Sequence, residues 1–285
     1  MTYFGTKELR PRQNDFYLYI YVMRFLLNKI INVLKFSKSR YRRKELIKKL
    51  YLKFTESFSN EQVQAKFWAM ENSVALEDFL TQVDNELFFE TKMVCNDIRT
   101  KYSSLSSSFA GSLDLGGGGA IDLLYFLCRR LRPLSVLETG VAAGLSSYAI
   151  LSALNKNGVG SLDSSDLPYP RIKNPEKYIG ILVPDYLKGT HWNLKTNGDT
   201  KNLNEFLSGK KDFYQIIHYD SDKRKKSKKL FIEKITPYLS PKAVFIMDDI
   251  QDNLAFKEYV LKNKLNYRIF QYENKFLGAI FYSDL

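Results

Sequence analysis

From residue 120 onward, the pattern of apolar and polar positions predicts helices and strands in alternation. Apolar residues recur at spacings of three and four in four segments, and short apolar runs separate these segments. The predicted helices are residues 120–132, 145–158, 226–239 and 254–264. The predicted strands are residues 134–139, 159–166, 191–197, 213–220, 242–249, 266–273 and 275–283. The last two strands are joined too closely for a parallel crossover, so we expect a mostly parallel, doubly wound α/β sheet that closes in an antiparallel hairpin.

The segment before this pattern is expected to be helical. Residues 57–110 have apolar positions at helical spacing and contain neither Pro nor Gly. A Ser/Gly-rich stretch, residues 103–119, ends in four consecutive glycines, which hold neither a helix nor a strand well. We expect this stretch to be a flexible linker and also a mobile lid. The predicted organisation is a helical arm over 1–55, a helical cap with its loop over 56–115, and the α/β domain over 116–285.

The arm contains a long apolar segment, residues 16–36, which five polar residues interrupt. At about 100° per residue, these five positions fall within roughly 140° of one another, so the segment predicts one helix with a broad apolar face. Three cations within it argue against a membrane-spanning segment. A basic stretch, residues 35–54, continues the helix. We expect this apolar face to pack on the protein's own body or on a second subunit. Binding to an anionic membrane surface is the alternative, since an apolar helix with a basic flank suits such a surface.

The chain's positive charge belongs to this arm. The chain carries 43 Lys and Arg against 31 Asp and Glu, a net charge of +12, and residues 1–55 hold 14 cations against three acids. The remaining chain is nearly neutral and no nucleic-acid readout motif accompanies the charge, so a nucleic-acid partner is not favoured. Two cysteines without metal-type spacing and a polar first 15 residues predict a cytoplasmic protein, with peripheral contact at the inner membrane surface as an alternative.

The sequence VLETGVAAGLSS, residues 136–147, joins a predicted strand to a predicted helix through two glycines. A glycine turn at the carboxyl end of the first strand is where open α/β sheets bind ligands. Gly140 and Gly144 would let a ligand approach the backbone, and the following helix offers free N–H groups. The spacing is not the G-x-G-x-x-G of dinucleotide sites. Glu138 would repel a pyrophosphate, but it suits a cationic ligand such as a sulfonium that carries an amino group.

This stretch resembles motif I of class I S-adenosylmethionine-dependent methyltransferases. DLPYP, GILVPDYLKGTHWNLKTNGDT, HYDSD and MDDIQDNLAF follow in the order found in small-molecule O-methyltransferases related to macrocin and catechol O-methyltransferases. The resemblance covers roughly residues 116–285 and implies a Rossmann-like sheet. It also implies methyl transfer from S-adenosylmethionine to a hydroxyl of a sugar, polyketide or phenol.

The resemblance also implies the residues that bind the cofactor. Glu138, Gly140 and Gly144 would line its methionine end. The ribose-binding acid falls on Asp166, with Asp163 a poorer second, because a carboxylate can accept hydrogen bonds from both ribose hydroxyls. A cap of the turn before Pro168 is the structural alternative for Asp166. Gly198 and Asp199 would lie near the adenine.

Three acids follow two neighbouring predicted strands. Asp220 ends one strand, and Asp248 and Asp249 end the next, so their carboxylates should meet at one edge of the sheet. Carboxylates that close together repel one another unless protons or a cation intervene, and a divalent metal such as Mg²⁺ is the simple solution. Metal-dependent O-methyltransferases have three ligands at these strand ends, which match Asp220, Asp248 and Asp249.

Lys223 and Asp220 are the candidate catalytic residues. In catechol O-methyltransferase-like enzymes a lysine base occupies the position of Lys223, three residues after the first acid. A base needs a lowered pKa, and the cations of KRKKSKK, residues 223–229, would push the pKa of Lys223 down. The same run also fits a solvated helix face. His218 precedes the acids on a strand that is expected to be buried, and a structural role is expected for it.

Two other functions are compatible with the sequence. A methyltransferase-like protein could bind the cofactor without turnover, or serve in an assembly through its N-terminal helices as a homo-oligomer. A nucleic-acid methyltransferase is suggested by charge alone. Its usual D/N-P-P-Y/F motif has only NPEKY, residues 174–178, as a counterpart, and this lies away from the strand end where the motif is needed.

Overall fold

The computed structural model describes residues 13–55, 60–108, 119–189, 191–208, 213–273 and 275–283. The described residues form one eight-stranded sheet, whose strands alternate with helices along most of the chain. The strands are β1 (Ser73–Ala75), β2 (Ser135–Thr139), β3 (Ser161–Ser165), β4 (Trp192–Lys195), β5 (Tyr214–Tyr219), β6 (Leu239–Met247), β7 (Tyr267–Tyr272) and β8 (Lys275–Phe281).

The strand order across the sheet is β1-β7-β8-β6-β5-β2-β3-β4. β8 runs antiparallel to both of its neighbours, β6 and β7, and the other pairs are parallel. The predicted doubly wound sheet with its antiparallel hairpin is therefore confirmed. The chain order reverses between β2 and β5, and the carboxyl ends of these strands form the crevice in which such sheets bind ligands.

Ten helices are found in the described part of the chain. They are α1 (Gln13–Phe36), α2 (Arg40–Thr55), α3 (Asn60–Glu71), α4 (Leu76–Val83), α5 (Asn85–Ser108), α6 (Ile121–Leu131), α7 (Leu145–Asn157), α8 (Asp199–Leu207), α9 (Lys225–Ile235) and α10 (Ala255–Lys262). α6, α7 and α10 lie where helices are predicted. α7 lies between Gly144 and Gly158, and both glycines have a left-handed backbone conformation. The N–H of Gly158 caps the last carbonyls of the helix. α8 has no counterpart among the predicted helices.

Two predicted elements end elsewhere than expected. The predicted helix over 226–239 stops at Ile235, because Thr236 and Pro237 open a short 3₁₀ turn and Leu239 already belongs to β6. Over the described residues, the prediction that residues 57–110 are helical is wrong in its middle, at residues 73–75. Residues 73–75 leave the helix and pair in parallel with residues 269–271 of β7, which adds β1 to the edge of the sheet.

The remaining N-terminal boundaries also differ from the expectation. Residues 103–108 of the predicted loop over 103–119 continue α5, and residues 109–118 lie outside the described residues. The predicted continuous helix of the arm breaks at residues 37–39, so α1 and α2 are separate. None of the described helices is long and apolar enough to cross a membrane.

The sheet separates two apolar layers. Alternate residues of the central strands belong to opposite layers, as Val136 and Leu137 of β2 and Ile216 and Ile217 of β5 show. The first layer packs under α5, α6 and α7, and the second packs under α8, α9 and α10. Both cysteines are free and buried. With both faces covered, functional groups reach solvent at the strand ends.

The apolar face of α1 does not pack on the protein's own body over the part whose side chains are described. Met23, Leu26, Leu27, Ile30, Ile31 and Leu34 are all exposed. The contacts of α1 with the body come from another side of the helix, where Phe36 is buried and the Asn32 amide donates to the carbonyl of Arg171. For residues 23–36 the expected packing of this face on the protein's own body is therefore wrong, and packing on a second subunit stays a prediction.

Candidate functional site

A cavity of about 750 Å³ lies at the carboxyl ends of the central strands. The loops after β2, β3 and β4 line it together with the end of β5, α2, α9 and Lys275 of β8. A cavity of this size is typical of a small-molecule or cofactor site. Of the predicted cofactor residues, Gly140, Asp166, Gly198 and Asp199 line it, while Glu138 and Gly144 are set back from it.

Gly140 is required by the turn after β2. Its φ is +87°, and a Cβ at this position would lie 1.9 Å from the carbonyl oxygen of Asp220. The turn therefore rests on the end of β5 without room for a side chain. Gly144 has a φ of +96°, and a Cβ there would lie 2.9 Å from the Cα of Gly180. The two glycines serve backbone packing, and the loop that they shape presents Val141, Ala142 and Ala143 to the cavity.

Glu138 supports this turn from below. Its side chain is fully buried, and its Oε2 accepts hydrogen bonds from Ser147 of α7 at 2.6 Å and Ser164 of β3 at 2.7 Å. These contacts tie the start of α7 to β3. The second oxygen, Oε1, accepts no hydrogen bond within the described part of the chain, so Glu138 retains a capacity to accept one more.

Asp166 is placed where a ribose-binding acid is expected, at the end of β3. Its Oδ2 accepts from the N–H groups of Val141 and Ala142, at 3.2 and 2.7 Å, and its Oδ1 accepts from Leu167 at 2.6 Å. Burial raises the pKa of Asp166 to about 6, against the opposing effect of these bonds. Asp163, the second candidate, accepts hydrogen bonds from Tyr214 and Asn193 instead and does not line the cavity.

Gly198 and Asp199 begin α8 beside Asp166. Asp199 accepts a hydrogen bond from the Ser165 hydroxyl at 2.6 Å, and burial raises its pKa. Gly198 has a φ of +90°, and its N–H donates to the carbonyl of Asp166. A Cβ at Gly198 would lie 2.6 Å from Cγ of Glu45, a residue of α2.

α2 therefore forms one wall of the cavity, which the sequence did not predict. Glu45, Leu46, Lys48 and Lys49 all line it. Glu45 is buried, and the ammonium of Lys48 donates to the hydroxyl of Thr200 at 3.1 Å. Because α2 belongs to the predicted arm over 1–55, the arm is not structurally separate from the predicted cofactor site. The sequence signal was hidden by the basic composition of the helix, which points to a solvated surface.

The three predicted metal ligands do come together. One carboxylate oxygen each of Asp220, Asp248 and Asp249 lies within 4.8 Å of the other two. Asp220 lines the cavity, whereas Asp248 and Asp249 are buried beside it. Burial, and then the Asp248 carboxylate, hold the pKa of Asp220 well above its usual range. The sheet register causes this juxtaposition, since Tyr219 and Met247 are paired neighbours at the ends of β5 and β6.

Two lysines neutralise part of this acidic cluster. The ammonium of Lys223 lies 2.5 Å from Oδ2 of Asp249. That of Lys275 lies 3.7 Å from Asp248 and 3.8 Å from Asp249. Burial lowers the pKa of Lys223, but its ion pair with Asp249 outweighs burial and raises it. The expectation of a lowered pKa for Lys223 is therefore wrong, because the effect of Asp249 exceeds that of the neighbouring cation Lys275.

Lys228 is a third lysine, which the sequence reasoning missed. It is 1 % exposed, and its ammonium donates to the carbonyls of Asp248 at 3.1 Å and Asp249 at 2.6 Å. Asp249 has a φ of +51°, so Lys228 braces a turn in the left-handed region from beneath. Burial lowers the pKa of Lys228 to about 8. The basic run around it concealed this residue, because the surrounding lysines face solvent.

His218 is fully buried between Glu138 and the acidic cluster of Asp220, Asp248 and Asp249. Its Nδ1 lies 3.9 Å from Oε1 of Glu138, and neither ring nitrogen makes a hydrogen bond within the described residues. A Cβ on Gly119 would lie 3.1 Å from its Nε2. Burial lowers the pKa of His218, but Glu138 and then Asp220 and Asp248 raise it by more. The imidazole thus supports the site from behind the cavity wall.

Comparison with known proteins agrees with this architecture. Residues 137–250 match a family model described as a methyltransferase domain. Among solved structures, an O-methyltransferase from Bacillus cereus in complex with SAH has a TM-score of 0.50 at 14 % identity, over 72 % of this chain and 96 % of its own. Cofactor-bound Rv0187 from MTB also has a TM-score of 0.50 at 14 % identity, over 64 % and 89 %. No curated protein sequence matches the chain. Residues 137–250 are therefore similar in sequence to a methyltransferase domain, and the described chain has the fold of the solved O-methyltransferase.

Proposed function

We propose that this protein transfers a methyl group from S-adenosylmethionine to a hydroxyl of a small molecule, of sugar, polyketide or phenol type. The observation that carries the proposal is the acidic cluster of Asp220, Asp248 and Asp249 at the cavity that Gly140 and Asp166 also shape. Carboxylates at the end of a cofactor cavity can hold or deprotonate a hydroxyl. The similarity to an O-methyltransferase in fold supports the same reaction type.

The residues of the cavity suit the donor in chemical character. One ribose hydroxyl would donate to Oδ1 of Asp166, which keeps a lone pair besides the one that accepts the N–H of Leu167, whereas Oδ2 already accepts from Val141 and Ala142. The adenine would lie by Gly198 and Asp199, against the wall that α2 provides. The methionine end would lie along the turn from Gly140, with Glu138 holding that turn in place. Gly144 would also act indirectly, by letting the same turn pack closely against Gly180.

The acidic cluster fits a divalent cation in donor type and spacing. Calcium–oxygen distances of about 2.3–2.6 Å place two ligands up to about 5 Å apart, so carboxylates within 4.8 Å of one another can share one ion. Magnesium, at about 2.0–2.1 Å, requires a small contraction. The Oδ2 of Asp248 accepts no hydrogen bond within the described chain, which leaves it available as a ligand. Such an ion would hold the acceptor oxygen and lower the pKa of its hydroxyl.

Two groups of the chain can take the proton of the acceptor. Lys223 is an ammonium paired with Asp249, and its raised pKa keeps it protonated near neutral pH. It can accept a proton only after it has released its own, and the ion pair with Asp249 opposes that release. Asp220 lines the cavity, and its raised pKa makes its carboxylate a stronger proton acceptor than an ordinary one. In the absence of a metal ion, we assign the proton acceptor to Asp220.

The decisive experiment follows labelled methyl transfer. Tritium from the methyl group of S-adenosylmethionine should enter a hydroxylated small molecule of a metabolite extract, and not RNA. The Asp220→Asn variant should lose at least about 100-fold in rate, which is the usual contribution of a general base. Cofactor binding with no transfer to any extract would favour the non-catalytic alternative, and label in RNA would favour the nucleic-acid methyltransferase.

A further inference from the structure

The α1 helix presents a continuous apolar face to solvent. Six side chains form this face, and their exposed fractions lie between 38 and 64 %. They are Met23, Leu26, Leu27, Ile30, Ile31 and Leu34. At about 100° per residue they share an arc of roughly 140° in which no polar residue falls. Asn32 and Phe36, which contact or are buried against the body, lie on the other side of the helix. A contiguous apolar face of this kind marks an interaction site.

The positive charge next to this face indicates which kind of partner covers it. α2 follows α1 after three residues, and its Arg40, Arg43 and Lys44 are exposed. The first 55 residues carry 14 cations against three acids. A second copy bound through the same face would bring two such basic segments together, and like charges at an interface are unfavourable. A surface of anionic lipid instead attracts each of these cations.

The size of the face also favours a lipid surface over a second copy of the chain. A stable dimer usually engages about 20–30 residues on each side, whereas the described face of α1 has six exposed apolar side chains. A helix that lies in a membrane interface needs only one apolar face and a basic flank. The described helices include none that could span the bilayer, so the contact would be peripheral.

We propose that α1 docks on an anionic membrane surface, with its apolar face at the acyl-chain boundary and the exposed cations of α2 at the headgroups. Because Glu45, Lys48 and Lys49 of α2 line the cavity, docking would place this wall of the cavity beside the lipid. The proposal does not depend on which reaction the cavity performs.

Vesicle sedimentation with the full chain tests the proposal. Vesicles of phosphatidylcholine alone are compared with vesicles that also contain phosphatidylglycerol. The protein should pellet with the anionic vesicles at low salt, and binding should weaken as the Debye length falls from about 10 Å at 0.1 M to about 3 Å at 1 M salt. Lys44→Gln should weaken partitioning about fivefold, as expected for one cation near such a surface.

A matched pair of double variants locates the contact. Ile30→Asp with Leu34→Asp should abolish pelleting. Leu134→Asp with Leu261→Asp makes the same kind of change at exposed apolar positions of the body and should leave pelleting unchanged. Both should unfold at wild-type temperature and bind S-adenosylhomocysteine alike. Absence of lipid-dependent pelleting of the wild type at low salt would overturn the proposal. So would a dimer seen by light scattering that the α1 variant abolishes while no vesicle binding occurs.

Discussion

Replacing Gly140 by alanine tests whether the turn after β2 is fixed by the end of β5. The added Cβ would lie 1.9 Å from the carbonyl oxygen of Asp220, and a backbone oxygen cannot rotate out of the way. Relieving the overlap to an ordinary contact requires the two segments to separate by about 1.3 Å or more. The residue would also hold a φ of +87°, which costs a non-glycine residue about 1–2 kcal/mol.

Together these effects predict a loss of about 2–5 kcal/mol in the free energy of unfolding, since overpacking adds about 1–3 kcal/mol to the backbone strain. Both segments that must move line the cavity. A displacement of about 1 Å in a reacting site can cost on the order of 100-fold in rate, so methyl transfer should slow by about that factor and S-adenosylmethionine should bind more weakly than to the wild type. The cause is steric contact with the end of β5, and not contact of the new side chain with the ligand.

Two other glycines provide matched controls. Gly158→Ala keeps a positive φ of +67° but meets no atom within 4 Å, so it should cost only the backbone strain of about 1–2 kcal/mol. Gly189→Ala has neither a positive φ nor a close neighbour and should change stability by less than about 0.5 kcal/mol. Chemical unfolding and calorimetric titration with S-adenosylmethionine measure all three variants. If Gly140→Ala matched Gly158→Ala in both stability and affinity, the steric explanation would be refuted.

Three further results are expected. Calorimetry with Mg²⁺, Mn²⁺ or Ca²⁺ should detect a metal site on the wild type, and the Asp248→Asn variant should bind the metal at least about tenfold more weakly. Asp185→Asn, a change at an exposed control position, should leave the metal affinity unchanged. Equal metal affinities of the wild type and Asp248→Asn would exclude the acidic cluster as the site. Cofactor affinity should be constant well above pH 6 and fall below it, because protonation of Asp166 removes an acceptor of a ribose hydroxyl, and Asp166→Asn should flatten this profile. Removing residues 1–55 should weaken cofactor binding, because α2 lines the cavity, and full affinity of the truncated chain would contradict that role.

The α/β sheet was predictable because its strands are short apolar runs that both layers bury. The acidic cluster was predictable for a related reason, since strand register alone brings Asp220 to Asp248 and Asp249. Periodicity could not reveal β1. Its three residues lie between two helical segments, and their pairing with β7 is a tertiary effect that overrides local propensity.

The electrostatics of the site could not be predicted from the order of residues. Lys223 forms an ion pair with Asp249, and Lys228 is buried and donates to two backbone carbonyls. Lys275 lies 3.7 and 3.8 Å from the carboxylates of Asp248 and Asp249. In the sequence, Lys223 and Lys228 belong to the same basic run. Only the direction of each side chain decides whether it meets a carboxylate, as Lys223 does, or backbone carbonyls, as Lys228 does, and this direction depends on packing between α9 and the ends of β5 and β6.

The pairing of β1 with β7 also has a consequence for how the chain is made. Ser73 of β1 pairs with Ile269 of β7, roughly 200 residues later, and β8 lies between β7 and β6. At about 5–20 residues per second, the ribosome needs on the order of 10–40 s to synthesise that interval. Phe79 of α4, whose ring packs against that of Phe270 of β7 at a tilt, lacks its partner during this time. The nascent helices α3 and α4 therefore keep apolar surface exposed until the C-terminal strands are made, and they are the segments that chaperones should engage during synthesis.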